Sequence, residues 1–164
     1  MLPPAHLFAS LSLGTTIMLL TNQLSWEGYI ITILAGIAPD LDYIVYLIRR
    51  EGQHHTTSHH TWFSHTLWPF VGIAFFLMLN GYNFLGILFI IGTTTHLIQD
   101  SIGTGDGIMW FYPFSRRQLG IHILGEIGKK WQQAYLSYWY FRWTERLSMG
   151  LFLLLSLWII SQLI

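Results

Sequence analysis

The chain has 164 residues, of which 52% are hydrophobic and only 10% charged, and its Lys+Arg and Asp+Glu counts of 8 each give a formal net charge of zero. A soluble domain carries roughly 25% charged residues, so this composition leaves too little polar surface for a protein dissolved in water and implies one embedded in a bilayer. Zero net charge removes nucleic acid as a main partner, and zero cysteines remove disulfides and thiolate ligands together, so any metal has to be held by nitrogen and oxygen.

Five apolar stretches, at about 5–21, 28–48, 62–79, 83–99 and 147–164, each approach the ~20 residues a helix needs to cross ~30 Å of hydrocarbon. The expected fold class is all-α: a polytopic membrane bundle of about five transmembrane helices plus an interfacial helical segment. It forms one membrane domain over 1–164, with metal-site helices at 1–114, an aromatic and basic surface segment at 115–146 and the last span at 147–164. The opening MLPPAHLFASLSLG lacks the basic start and small-residue cleavage pattern of a secretory signal, so the first span is expected to be retained, and His6 with it.

The second span contains GIAPDLD. Pro39 removes a backbone donor and disfavours helix at Ala38, so the helix should kink or restart there and let both Asp40 and Asp42 turn inward. Two carboxylates this close repel unless something positive sits between them, which a divalent ion would supply; the alternative role for either is a helix cap. The entry to the third span, HHTTSHHTWFSHT, carries five histidines. His54 and His55 read as solvated loop residues and His59 as intermediate. His60 and His65 are best placed, because they approach the apolar segment where an unpaired imidazole is hardest to accommodate.

In THLIQD of the fourth span, His96 and Asp100 lie on one helical face about 6 Å apart along the axis, a workable bite for one metal or two neighbouring metals. Taken alone the pair is equally a histidine hydrogen-bonded to a carboxylate. Beyond it, Trp131, Tyr135, Tyr138, Trp139, Tyr140, Phe141 and Trp143 mark a stretch too charged to cross. One or two interfacial helices broken near Gly125 and Gly128 are expected there, the alternative being an aromatic-rich loop; His122, in the same stretch, is given no role.

Every basic residue falls in two connections: Arg49 and Arg50 after the second span, then Arg116, Arg117, Lys129, Lys130, Arg142 and Arg146 after the fourth. With five spans both connections share one side, which the positive-inside rule assigns to the cytoplasm, with the N-terminus inside and the C-terminus outside. An ionisable group in an apolar span costs about 2.5–3.5 kcal/mol, so each asks for a partner or a purpose. His6, Asp40, Asp42, His60, His65, His96 and Asp100, from four helices, all arrive at that same cytoplasmic depth.

The ordered set of His6, PDLD at 39–42, HTWFSHT at 60–66, HLIQD at 96–100 and TGDGIMWFYPFSRR at 104–117 resembles the membrane-bound metal-dependent hydrolases of the YdjM type, known for a LexA-regulated inner-membrane member. The resemblance covers roughly the first 117 residues and leaves the aromatic segment and last span outside. It implies His6, Asp40, Asp42, His60, His65, His96 and Asp100 as metal-site residues, with Gly107 and Pro113 shaping the loop downstream. The chain departs from the pattern at Thr61, where the family has Arg, at Ser64-His65-Thr66 in place of Thr-His-Ser, and at Thr104-Gly105 in place of Thr-Pro. Thr61 thus lacks the positive charge with which the family's Arg could contact a phosphate; Arg116 and Arg117 could supply that charge instead, although a positive-inside anchor is the preferred reading of that pair. The family is in turn distantly similar to zinc-dependent phospholipase C, whose all-helical sites hold several zinc ions with His and Asp.

Seven nitrogen and oxygen ligands exceed the three or four of one catalytic zinc, so two or more divalent ions are expected, zinc first and manganese as the alternative. Two ions ~3.5–4 Å apart can activate a water and stabilise both oxygens of a phosphoester displacement. The expected activity is hydrolysis of a phospholipid or other membrane-associated phosphoester by a metal-activated water. Asp40, Asp42, His65 and Asp100 form the catalytic set, with either Asp40 or Asp42 as general base. The rival is a divalent-metal transport or binding protein without hydrolase activity, which would need ligands spread through the bilayer thickness.

Overall fold

The computed structural model describes residues 3–42, 62–103, 107–121 and 139–163. The first helix, α1, runs Pro3–Leu20 and ends in a tight turn with Asn22 at φ 55°, the left-handed region that Asn tolerates. Ser25 then caps α2 (Trp26–Ile37): from extended backbone its Oγ accepts the Gly28 N–H at 3.1 Å, and Glu27 adds a negative charge at the positive end of the helix. Pro39 stops α2. Asp40 N–H turns back to the Ile37 carbonyl at 3.1 Å, and helical conformation resumes at Leu41 and Asp42, the restart that GIAPDLD predicts.

A 3-10 turn at Phe63–His65 precedes α3 (Trp68–Leu79), which carries Pro69 in its first turn, where a missing N–H costs nothing. Gly81, at φ 87°, makes the turn into α4 (Asn83–Gly103). The last helix, α5, spans Trp139–Leu163. Among the described residues there is no strand, only an isolated antiparallel bridge between Ile108 and Leu119.

The helices α1, α2 and α4 pack mutually, α3 lies on α4, and α5 lies on α1. Small residues at the crossings let backbones approach, which is how helices associate where lipid supplies no hydrophobic drive. A Cβ on Gly92 of α4 would lie 2.6 Å from the Ala35 Cβ of α2, and one on Gly36 would lie 3.0 Å from the Leu7 backbone of α1. Ala35, Phe70, Ala74, Phe89, Leu97 and Ile108 form the apolar core. In the loop 107–121, Gly107 at φ 67° sits so close to Leu119 that a Cβ would meet its carbonyl at 2.5 Å. The loop is tied to the end of α4 by Ile121 N–H to the Ser101 carbonyl at 2.6 Å and Trp110 Nε1–H to Ser101 Oγ at 2.9 Å.

Element boundaries differ from those expected, most of all at the starts of α3 and α5. Helix α3 begins at Trp68 and not at 62, because the residues before it take the 3-10 turn. Helix α5 begins at Trp139 and not at 147, so the end of the expected surface segment is the first part of the last helix. The run WYFRWTER has no Gly or Pro to stop it, and its Arg and Glu are good helix formers. Residues 115–121 of that segment are non-helical, while the proposed breaks at Gly125 and Gly128 lie outside the described residues.

Among the described residues two helices are long and apolar enough to cross a bilayer: α4 over Asn83–Ile102 and α5 over Trp143–Ser161. The others are apolar but shorter, α2 and α3 having 12 residues each, which at 1.5 Å per residue rise about 18 Å. Phe75, Phe76 and Leu79 on α3 and Leu151, Leu154 and Leu157 on α5 are exposed, a density of outward apolar side chains that suits lipid better than water.

Candidate metal centre

Four segments deliver the ionisable side chains to one place. His6 comes from the start of α1, Asp40 and Asp42 from the break after α2, His65 from the 3-10 turn, and His96 and Asp100 from the last turns of α4. His6, His65 and His96 expose 1% or less of their surface and Asp100 2%, whereas the Asp40 side chain keeps 17% of its surface open.

The histidines share one arrangement. His96 Nδ1 lies 2.9 Å from the Gly36 carbonyl oxygen; a carbonyl only accepts, so Nδ1 carries the proton. His65 Nδ1–H donates to Asp42 Oδ2 at 2.9 Å, and the Ser64 hydroxyl donates to the same oxygen. His6 Nδ1–H donates to Gln99 Oε1 at 2.7 Å. With each Nδ1 occupied, each Nε2 is the atom that faces the cluster, and such outer partners are what fix the tautomer of metal-binding imidazoles.

The inward atoms are closely spaced. His6 Nε2 lies 3.1 Å from Asp100 Oδ1 and His96 Nε2 lies 3.1 Å from Asp100 Oδ2. Asp40 Oδ1 is 3.6 Å from His96 Nε2 and 3.8 Å from His65 Nε2, and Asp100 Oδ2 is also 3.8 Å from His65 Nε2. Ligands that each stand ~2.0–2.2 Å from a common zinc must lie within about 4 Å of one another, which these distances meet.

Among the described residues two triads with all donor atoms within 4.8 Å can be drawn, His6–His96–Asp100 and Asp40–His65–His96, and either could hold a metal ion. Asp40 Oδ2 and His96 Nε2 are buried and make no hydrogen bond among the described residues, an arrangement that costs free energy unless a cation or proton enters. Protonating every histidine is a poor answer: His6 and His96 are stacked with ring centroids 3.9 Å apart and planes 18° from parallel, and two imidazolium rings so placed repel. The donor set and its spacing fit a divalent ion.

Of the seven sequence-derived residues, His6, Asp40, Asp42, His65, His96 and Asp100 come together. His60, with Thr61, His54, His55, His59, Thr104, Gly105 and His122, lies outside the described residues. Asp42 belongs to neither triad; it stands behind His65. Gly107 and Pro113 lie in the loop over the end of α4, and Arg116 and Arg117 on that loop are exposed. Sequence reasoning missed Gln99 and the Gly36 carbonyl. Gln99 had a signal, a neutral amide in an apolar helix that needs a hydrogen-bonding partner; the carbonyl had none beyond the proline three residues on.

Fold and site together define an all-helical membrane-type protein with a buried histidine–carboxylate cluster of metal-binding geometry. The chain belongs to the YdjM inner membrane protein family, whose family model matches residues 1–164. The match therefore continues through the aromatic segment and last helix that lay beyond the motif resemblance. No curated protein and no solved structure matches the chain.

Proposed function

We propose that the chain is a membrane-bound, metal-dependent hydrolase of a phosphoester such as a phospholipid. The observation that carries this reading is the turning of three imidazole Nε2 atoms toward Asp40 and Asp100, with every Nδ1 held from behind. That is a preorganised site, beyond what a structural ion pair needs. His96 has one lone pair to give, so the triads cannot each claim it. His6, His96 and Asp100 would hold one ion and His65 with Asp40 a second. Three nitrogens, two carboxylates and no sulfur favour zinc, then manganese.

A divalent ion bound here supplies a lowered water pKa and a Lewis acid for the phosphoryl oxygen. Asp40, the most open of the carboxylates and with Oδ2 uncommitted among the described residues, takes the proton of the attacking water. Asp42 is tied to His65 and Ser64 and positions the imidazole instead. The distant similarity to zinc-dependent phospholipase C favours phosphoester chemistry by analogy. The matching topology has all five helices crossing and the cluster at the cytoplasmic face with Arg116 and Arg117.

Metal analysis of the detergent-purified chain, paired with a phospholipid hydrolysis assay, tests the reading. The wild type should carry stoichiometric zinc or manganese and release headgroup, and His96→Ala and Asp100→Ala should lose both. Metal uptake with no turnover of any phosphoester would sink the hydrolase and leave a metal-binding or transport protein; no stoichiometric metal would sink both.

A further inference from the structure

Between α1 and α5 runs a groove of about 640 Å³, lined on one side by Ala9 and Leu13 and on the other by Leu151, Leu154 and Leu155. Three hydroxyl residues line it, and two of them are spent on their own helix: Ser12 Oγ donates to the Phe8 carbonyl at 2.8 Å and Thr16 Oγ1 to the Ser12 carbonyl at 2.7 Å, which leaves Ser148 and Gln99 as its polar groups. At its inner end the groove reaches Gln99, whose Oε1 accepts the His6 Nδ1–H at 2.7 Å. An apolar channel open toward lipid thus ends one hydrogen bond from the histidine–carboxylate cluster.

The dimensions restrict what can lie there. From Leu147 to Trp158, which both line it, α5 rises about 16 Å. With its lining largely apolar, the groove offers a water-soluble headgroup little to hydrogen-bond. A hydrocarbon chain running on from a headgroup held at the cluster fits in chemistry and in position, and the volume falls in the ~300–1,000 Å³ range of small-molecule sites.

We propose that this groove seats one acyl chain of a membrane phospholipid, with Gln99 at the boundary where the chain gives way to the headgroup presented to the cluster. The proposal rests on the phosphoester reading for the identity of the headgroup site, but the groove can be tested without catalysis. Occupancy would also press on Gln99 and so on the orientation of His6.

The test is native mass spectrometry of the full chain extracted from vesicles of phosphatidylethanolamine and phosphatidylglycerol, scoring retained lipid and bound metal in the same spectra. The wild type should retain one phospholipid per chain. Ser12→Phe and Leu151→Trp, which fill the groove from either side, should lower that retention at least about tenfold with metal content unchanged. Phe75→Trp on the exposed face of α3 should behave as wild type. Equal retention in wild type and groove variants overturns the proposal, and so does a second chain held at α5 in place of lipid. Lipid retained in the groove beside bound metal, yet recovered uncleaved, supports the groove and overturns the hydrolase.

Discussion

Asp42 stands behind His65, so its loss should be felt through the imidazole. Removing an outer partner of a metal-binding histidine costs about 10–100-fold in affinity. Asp42→Ala should therefore weaken zinc binding by that factor in a chelator-competition titration, while Asp40→Ala should lose far more, having removed a donor atom. Equal effects would place both carboxylates in the same role. Gln99→Ala is the matching case for His6, since it frees the Nδ1 that Gln99 Oε1 holds at 2.7 Å. The pairing of His96 with Asp100 was legible because a helix places residues four apart on one face whatever surrounds it. The role of Asp42 was not, because it depends on a 3-10 turn that brings Ser64 and His65 across from another segment, and a three-residue turn leaves no periodic trace.

At the scale of elements, the bundle depends on close crossings made by residues without side chains. Gly92→Ala would put a Cβ 2.6 Å from that of Ala35, and overpacking of this kind costs about 1–3 kcal/mol. Gly72 on α3 has nothing within 4 Å of where a Cβ would go, so Gly72→Ala should be neutral or stabilising by about 0.5–1 kcal/mol through helix propensity alone. Denaturant unfolding in detergent should separate the two; equal effects would mean that α2 and α4 do not approach as described. The helical class was readable from hydropathy, since each of the five apolar runs carries a helix among the described residues, although only two of these are long and apolar enough to cross a bilayer. Their ends were not: charge marked where α5 should stop being apolar, but helix formation ignores that mark when no Gly or Pro intervenes, and the same hydropathy hid the non-helical residues ahead of α3.

For the whole molecule, the absence of cysteine offers a clean probe of how the bundle sits. Single cysteines at Asn22, in the turn after α1, and at Arg116, in the loop by the cluster, should react with a membrane-impermeant thiol reagent from opposite sides in oriented vesicles. Labelling of both from one side would end the five-crossing topology. Metal should also act as a global fastener, because it ties four segments: a ligand at 100 times its Kd adds about 2.7 kcal/mol to stability, so chelation should lower the thermal midpoint of the wild type but not of His96→Ala. The break at Pro39 turns this into a conflict between robustness and performance. Because Pro39 interrupts the ladder and Asp40 N–H turns to Ile37, the Gly36 carbonyl is left to receive His96. A variant such as Pro39→Ala, chosen to mend the helix, would draw that carbonyl back into the ladder and release the imidazole from its tautomer. Stabilisation campaigns that select for heat resistance would then enrich chains that fold better and hold their ion worse, and residue 39 is where such a trade should first be seen.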